Sequence, residues 1–86
     1  MVSTLWSVYI VKTKLGTLYT GITTDVAQRI SDHEKQGKKC AKYLKGKAPL
    51  ELVYQRIIGT KSEALKIESK IKKMCKREKE SLINGG

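Results

Sequence analysis

The chain has 86 residues, of which 40% are hydrophobic, with no Phe and a single Trp. This length predicts one domain over residues 1–86, with a modest core of Ile, Leu and Val. No segment approaches the length of a transmembrane helix, and no basic leader precedes an apolar run, so neither a membrane-spanning nor a secreted protein is expected. Two distant cysteines make neither a disulfide framework nor a zinc site, and we expect a reduced, cytoplasmic protein.

The charge of the chain is strongly unbalanced. It carries 18 Lys and Arg residues against 8 Asp and Glu residues, a net charge of +10 at pH 7. This excess favours a polyanionic partner, with nucleic acid as the first expectation and an anionic membrane surface as the second.

The N-terminal quarter of the chain predicts a β-hairpin. Residues 5–12 alternate and are rich in β-branched and aromatic side chains, and residues 17–22 read as a second strand. Residues 14–16 supply the turn between them. Gly21 lies inside the second strand, where it indicates a bulge or the close approach of another group to the backbone.

A helix is expected to follow over residues 26–35. Asp25 has N-cap chemistry, and Gln28 three positions later gives the pattern of a capping box. Val26 and Ile30 are four residues apart and form the predicted core-facing pair of this helix.

The rest of the chain predicts a lysine-rich segment, a third strand and two helices. Residues 35–47 are expected to be a loop or a frayed helix end, and residues 50–58 alternate like a strand. A capping box opens an amphipathic helix over residues 60–77, and a last short helix is expected over residues 76–82. The order ββαβαα predicts an α+β fold, a three-stranded sheet with helices packed on it.

Glu68 stands where the amphipathic helix should carry a hydrophobic residue. The apolar stripe of this helix comprises Ala64, Ile67, Ile71, Met74 and Cys75. An unpaired buried carboxylate is strongly destabilising, so we expect Glu68 to face a cation, an arginine or a polar cleft. A metal-binding role and an ion pair with Lys72, four residues later, are both open.

The hairpin and the helices that follow it resemble the GIY-YIG nuclease family. Val-Tyr-Ile at residues 8–10 and Tyr-Thr-Gly at residues 19–21 are similar to the paired motifs of that family. Arg29, His33 and a later helical Glu68 complete the pattern in the same order. The resemblance covers nearly the whole chain and is strongest to the small stand-alone members of the UPF0213 type.

The resemblance implies a three-stranded antiparallel sheet flanked by helices and metal-dependent cleavage of a nucleic-acid phosphodiester. The implied catalytic residues are Tyr9, Tyr19, Arg29, His33 and Glu68. Glu68 would bind Mg²⁺ or Mn²⁺, and Arg29 would hold the phosphate. One of Tyr9, Tyr19 and His33 would help to deprotonate the attacking water, and the sequence leaves this choice open.

Each of these residues also has a purely structural interpretation. The tyrosines could be amphipathic core residues with satisfied hydroxyls, and Arg29 could be a solvated helix-surface residue. A lone histidine on a helix, such as His33, is often structural. The complete set in one order favours the functional interpretation.

Lysines are expected to provide sequence-independent contacts to the phosphate backbone. The predicted contacts are Lys35, Lys38, Lys39, Lys42, Lys45, Lys47 and Lys72. The alternative is a solvated charge run that keeps the protein soluble. Tyr43, which lies among these lysines, could stack on an unpaired base or anchor the loop to the core.

Three functions are therefore weighed. The first is a metal-dependent nuclease that acts on DNA rather than RNA, in a setting such as repair or recombination. The second is a nucleic-acid-binding module of the same fold, inactive alone or dependent on a partner subunit. The third is a structural basic domain of an RNA assembly, in which Tyr9, Arg29 and Glu68 would have no reason to converge.

Overall fold

The computed structural model describes residues 5–85, so residues 1–4 and Gly86 of the expected domain lie outside the described part of the chain. The elements are β1 (Trp6–Lys12), β2 (Leu18–Thr23), α1 (Val26–Glu34), β3 (Glu51–Gly59), α2 (Lys61–Lys72) and α3 (Lys76–Ile83). The strands form one antiparallel sheet in the order β2-β1-β3, which confirms the predicted α+β fold. Between residues 5 and 85, no helix is long and apolar enough to cross a membrane.

The central strand β1 is buried on both faces of the sheet. Its side chains alternate, so Tyr9 and Val11 point to one face while Val8 and Ile10 point to the other. The Tyr9 face is covered by α1 and the segment after it, through Val26, Ile30 and Leu44. The opposite face is covered by α2 and α3, through Ile67, Ile71, Leu82 and Ile83. The sheet therefore separates two small apolar clusters.

The lysine-rich loop (residues 35–47) is ordered by hydrogen bonds that sequence patterns do not reveal. It contains one 3₁₀ turn, Lys42–Leu44, whose Leu44 is fully buried in the Tyr9-face cluster. The Gln36 side chain donates to the carbonyls of His33 and Leu44, and its amide oxygen accepts the Gly46 N–H at 2.6 Å. These bonds fold the loop back onto the C-terminal end of α1.

The helix predicted over residues 60–77 is wrong beyond Lys72. The chain leaves the helical conformation after Lys73 and restarts at Cys75, which is the N-cap of α3. The Glu78 carboxylate accepts the Cys75 N–H at 3.0 Å, and this capping bond marks a new helix start. Cys75 is consequently exposed and does not belong to the apolar stripe.

The start of α2 depends on the predicted capping box. The Thr60 hydroxyl accepts the Glu63 N–H at 3.2 Å, and the Glu63 carboxylate accepts the Thr60 N–H at 3.1 Å. These bonds satisfy backbone donors that the first helical turn leaves unpaired. Because α2 carries Glu68, the cap also fixes the helix that presents this carboxylate.

We predict that Thr60→Ala lowers the free energy of unfolding by about 1 kcal/mol, the usual loss on removal of an N-cap hydroxyl. Urea denaturation followed by circular dichroism measures this change. Ser62→Ala, at an exposed position two residues later, is the matched control and should change stability little. Equal losses in the two variants would show that the cap does not stabilise α2.

Candidate active site

Tyr9 reaches across the neighbouring strand because that strand has a glycine at the facing position. Tyr9 pairs with Gly21 in the register of β1 and β2. A Cβ atom on Gly21 would lie 2.5 Å from the Tyr9 hydroxyl and 2.7 Å from its Cζ, far inside van der Waals contact. Gly21 therefore marks a close approach, one of the two predicted alternatives, and the bare backbone at this position makes room for the phenol ring.

The Tyr9 hydroxyl meets His33, which α1 places over the same face of the sheet. The Tyr9 Oη and His33 Nε2 atoms are 2.9 Å apart, and both side chains are almost fully buried. The other ring nitrogen, Nδ1, accepts the Ala41 N–H at 3.3 Å. A neutral imidazole carries one N–H, and Nδ1 is occupied as an acceptor, so the proton lies on Nε2. His33 therefore donates to Tyr9 and leaves the Tyr9 hydroxyl proton free for another partner.

Burial dominates the acid–base properties of this pair. It raises the pKa of Tyr9 to about 12, with a further rise from Tyr19, while the positive charge of Arg29 acts in the opposite direction. Burial also lowers the pKa of His33, and the Arg29 charge adds to that decrease. At neutral pH Tyr9 is therefore a phenol and His33 a neutral imidazole.

Arg29 lies one helical turn before His33, and its charge acts on both members of the pair. Its Nη1 atom donates to the Lys39 carbonyl at 2.7 Å, which ties the guanidinium to the lysine-rich loop. Within residues 5–85 no carboxylate forms a salt bridge with Arg29. The remaining donors of this planar group are suited to phosphate oxygens.

Tyr19 lies beside the Tyr9–His33 pair and links it to the surface. Its ring centroid is 6.5 Å from that of Tyr9 and 5.8 Å from that of His33, with the His33 contact edge-on. On its other side Tyr19 stacks against Tyr43, with centroids 5.7 Å apart. Both tyrosines of the predicted set therefore emerge on one face of the hairpin.

Glu68 comes from the opposite side of the sheet and is partly shielded from solvent. Its side chain is 17% exposed, and its carboxylate lies 3.5 Å from the Lys72 ammonium, which is 53% exposed. The predicted alternative of an i,i+4 ion pair is thus present in the structure. Burial is the main reason that the pKa of Tyr9 is raised, and the charge of Glu68 adds a smaller increase.

The chemistry of the acidic groups near this site fits a metal that keeps most of its water. In the described part of the chain no cluster of three His, Cys, Asp or Glu side chains is present. A closed structural metal site therefore has no ligand set here. Mg²⁺ is often bound through one or two carboxylates with water and substrate phosphate, and a single Glu68 is compatible with that mode.

The predicted phosphate contacts differ in their availability. Five lysines of the loop are exposed, namely Lys35, Lys38, Lys39, Lys42 and Lys45. Lys47 is half-buried, because its ammonium donates to the Tyr43 carbonyl at 2.6 Å and lies 3.7 Å from the centre of the Tyr43 ring. Lys72 is occupied by Glu68. The exposed set gives a basic surface to the loop that holds Arg29 through the Lys39 carbonyl.

Comparison with known proteins shows which family has this arrangement of residues. A sequence model of the GIY-YIG catalytic domain matches residues 5–81 of the chain. The chain belongs to the GIY-YIG family. A UPF0213 protein of Yersinia pestis is 47% identical over 83 residues, which cover 96% of this chain and 85% of that protein, and a UPF0213 protein of Yersinia pseudotuberculosis gives the same values. This places the domain in a nuclease superfamily, whose substrates are nucleic acids.

A solved structure supports the same assignment. The solution NMR structure of a UPF0213 protein from Bacillus halodurans shares 40% sequence identity with this chain and superposes with a TM-score of 0.59. The match covers 93% of this GIY-YIG chain and 83% of the Bacillus protein. The resemblance predicted from the ordered motifs is confirmed for both family and fold.

Two groups of the site were missed by sequence reasoning. The Ala41 amide sets the protonated nitrogen of His33, but a backbone N–H leaves no signature in sequence. Gln36 orders the lysine-rich loop and adopts a positive φ of 56°, a conformation in which non-glycine residues are uncommon. The Gln-Gly pair at the end of the predicted helix was a usable signal for this turn.

Gly21→Ala should displace the Tyr9 ring, weaken its hydrogen bond to His33 and lower the free energy of unfolding by about 1–3 kcal/mol, the range for overpacking. Urea denaturation measures the loss. In a Tyr9→Ala background the same substitution should cost much less, because the clashing ring is absent. Gly37→Ala, where a Cβ meets nothing within 4 Å, is the matched control. An unchanged penalty in the Tyr9→Ala background would exclude the proposed clash.

His33 is the single histidine of the chain, so its ring gives an unambiguous NMR signal. Long-range ¹H–¹⁵N spectra should show a proton on Nε2 at neutral pH and a pKa below the ordinary value of 6.5. Because the unfolded chain binds this proton first, the stability contributed by His33 is complete above pH 6.5 and declines as the pH falls below that value. The decline should be smaller in His33→Gln.

Ala41→Pro tests the origin of this tautomer, because the Ala41 φ of −60° suits proline and the substitution removes the N–H. A population protonated on Nδ1 should then appear, whereas Ala41→Gly, which keeps the N–H, should behave like the wild type. A wild-type His33 spectrum in Ala41→Pro would show that the amide does not set the tautomer.

Proposed function

We propose that this protein is a metal-dependent endonuclease that cleaves phosphodiester bonds in DNA. The observation that carries the proposal is the buried Tyr9–His33 hydrogen bond beside the Arg29 guanidinium, which carries no carboxylate partner in the described chain. A structural tyrosine needs neither a cation next to its hydroxyl nor a neighbouring basic loop. Membership of a nuclease superfamily supplies the class of reaction.

Arg29 is placed to bind the scissile phosphate. Its guanidinium is already oriented by the Lys39 carbonyl, which reduces the side-chain freedom that phosphate binding would have to remove. The planar fork can bind two phosphate oxygens and oppose the charge that grows on them in the transition state. Arg29 would therefore act on both substrate binding and the chemical step.

In its ionised form, after the phenol has lost its own proton to solvent, Tyr9 would be the best-placed group to accept a proton from the attacking water. Its hydroxyl oxygen receives the His33 N–H, and this bond would stabilise the tyrosinate form. His33 itself offers no free acceptor, since Nδ1 is taken by Ala41 and Nε2 carries the proton. This geometry argues against His33 as the base and supports our proposal that it positions Tyr9. Tyr19 borders the pair and would help to orient the water or the phosphate.

Glu68 would hold the divalent cation. When bound, Mg²⁺ or Mn²⁺ would supply a positive charge that stabilises the phosphate and favours ionisation of nearby water. The Glu68 carboxylate would leave its contact with the exposed Lys72 to face the ion. This exchange requires little energy, because ion pairs with an exposed partner contribute little to stability.

The exposed lysines support a nucleic-acid substrate of either kind through contacts to phosphates. We propose DNA as the preferred substrate, as expected from the family resemblance. The five exposed lysines of the loop would follow the strand that contains the scissile bond, and Lys72 would join them when Glu68 releases it.

Cleavage of supercoiled, single-stranded and branched DNA should require Mg²⁺ or Mn²⁺ and disappear in EDTA. Glu68→Ala should reduce the cleavage rate by about 100-fold or more, the scale of loss when a charge-stabilising group is removed from a site. DNA binding in EDTA should persist, because under this proposal Glu68 contacts DNA only through the ion. Gel assays with purified protein measure both quantities.

Two controls make this experiment decisive. Glu80→Ala removes another exposed helical carboxylate and should leave cleavage unchanged. Lys72→Ala removes the same ion pair and should weaken DNA binding modestly but keep metal-dependent cleavage. This result would show that loss of the ion pair does not explain the loss of cleavage in Glu68→Ala. Binding without cleavage on every substrate would favour a binding module or a partner-dependent subunit. Equal cleavage by wild type and Glu68→Ala would indicate a contaminant and reject the role of Glu68.

A further inference from the structure

Tyr43 is exposed although a large aromatic side chain in a small domain usually finds burial. It lies in the 3₁₀ turn of the lysine-rich loop and keeps 45% of its surface exposed. The next residue, Leu44, is fully buried and anchors this turn to the core. Leu44 therefore anchors the turn in the core, and Tyr43 contributes to the loop only through its contacts at the surface, which leaves part of its ring available to a partner.

Tyr43 is the outer member of a row of aromatic rings that begins in the active site. Tyr43 stacks on Tyr19 with an interplanar angle of 22°, and Tyr19 contacts both Tyr9 and His33. A planar group that stacks on the outer face of Tyr43 would therefore extend this row, with Tyr43 and Tyr19 between it and Tyr9, on the side of the protein where the phosphodiester is expected. Stacking on aromatic side chains is the usual way in which proteins hold unpaired bases.

The Lys47 side chain covers one face of the Tyr43 ring. Its ammonium lies 3.7 Å from the ring centre and donates to the Tyr43 carbonyl. Cation–π contacts at exposed sites are weak, and the lysine stem is flexible, so a base can displace the ammonium from the ring. The released charge would lie beside the nucleotide that displaced it and could pair with its phosphate.

We propose that Tyr43 and Lys47 form a binding site for an unpaired nucleotide next to the scissile bond, with the base stacked on Tyr43 and the phosphate bound by Lys47. This deepens the proposed nuclease function, on which it rests, by assigning a substrate class: strands with at least one unstacked base at the cleavage site. A continuous duplex keeps its bases paired and offers no ring face to Tyr43.

The test is binding in EDTA, which separates recognition from cleavage. The ligands are a single-stranded oligonucleotide with 2-aminopurine at one position, the same sequence with an abasic site there, and the fully paired duplex. Wild-type protein should change the fluorescence of the unpaired 2-aminopurine through stacking. The same oligonucleotide made as RNA shows whether the site accepts both sugars, since base stacking is common to both.

Tyr43→Ala should weaken binding of the single strand by about 5- to 150-fold, the range expected when one stacked base is lost, and leave duplex binding nearly unchanged. Tyr43→Phe should keep the single-strand preference, because it keeps the ring. Ile57→Ala, which truncates an apolar side chain with 66% exposure on β3, is the control for a nonspecific surface change. Lys47→Ala should weaken single-strand binding more than Lys45→Ala, its exposed neighbour in the loop.

Equal losses on single strand and duplex in Tyr43→Ala, or no change in 2-aminopurine fluorescence with the wild type, would overturn the proposal. These outcomes differ from failure of the nuclease function. A protein that stacks the unpaired base but cleaves nothing keeps this site and loses the enzyme activity. A protein that cleaves single strand and duplex alike, in wild type and Tyr43→Ala, keeps the activity and loses this site. Tyr43 lies at the surface and is 45% exposed, and the His33 NMR signal checks that each variant is folded.

Discussion

The hydrogen bond between Tyr9 and His33 is the constraint on which the rest of the site depends. It joins the central strand to α1 and is possible only because Gly21 leaves space for the phenol ring on the neighbouring strand. Both partners are buried, so each must have its polar atom satisfied within the protein. The third partner, the Ala41 amide, completes this requirement for His33 and determines the direction of the bond.

The lysine-rich loop has two roles that a single segment can combine. Its backbone holds Arg29 through the Lys39 carbonyl and His33 through the Ala41 amide. Its side chains supply the exposed positive charge expected to attract a phosphate backbone. A change in loop conformation would therefore alter both the surface that binds nucleic acid and the geometry of the groups beneath it. The loop backbone would thus link the binding of substrate at the surface to the positions of Arg29 and His33.

Sequence patterns predicted the fold well because alternation and capping are local. The strands, α1 and the Thr60 capping box follow from residues within a few positions of one another. The helix predicted through residue 77 was wrong because the apolar spacing continues past Lys72, while the restart at Cys75 depends on a side chain three residues later, Glu78. Periodicity alone does not distinguish one long helix from two that share a face.

The candidate site was less predictable than the fold, because its decisive contacts are distant in sequence. The ordered motifs named Tyr9, Arg29 and His33, but whether His33 donates or accepts depends on the amide of Ala41, which no motif includes. Glu68 was identified from its place on an apolar stripe. In the structure Glu68 forms an ion pair with Lys72, and its charge adds a small increase to the pKa of Tyr9, which burial raises most. The chemical groups of the site could thus be predicted from sequence motifs. Their protonation and their hydrogen-bond partners depend on tertiary contacts that the motifs do not include.

The electrostatics of Tyr9 give a physical reason for a metal requirement under the proposed function. Burial and the neighbouring Tyr19 raise the pKa of the phenol to about 12 despite the opposing charge of Arg29, and the charge of Glu68 adds a smaller increase. A phenol of this pKa is almost entirely protonated at neutral pH and is a poor base. A divalent cation bound to Glu68 would make the net charge at this position positive. The bare carboxylate opposes ionisation of Tyr9, whereas the bound cation would favour it. A substrate phosphate bound without the cation would add negative charge and push the pKa of Tyr9 higher. Without the cation, nucleic acid would therefore bind to a site in which Tyr9 is still protonated. Under the proposed function, the metal would be required for the cleavage step rather than for the binding of nucleic acid.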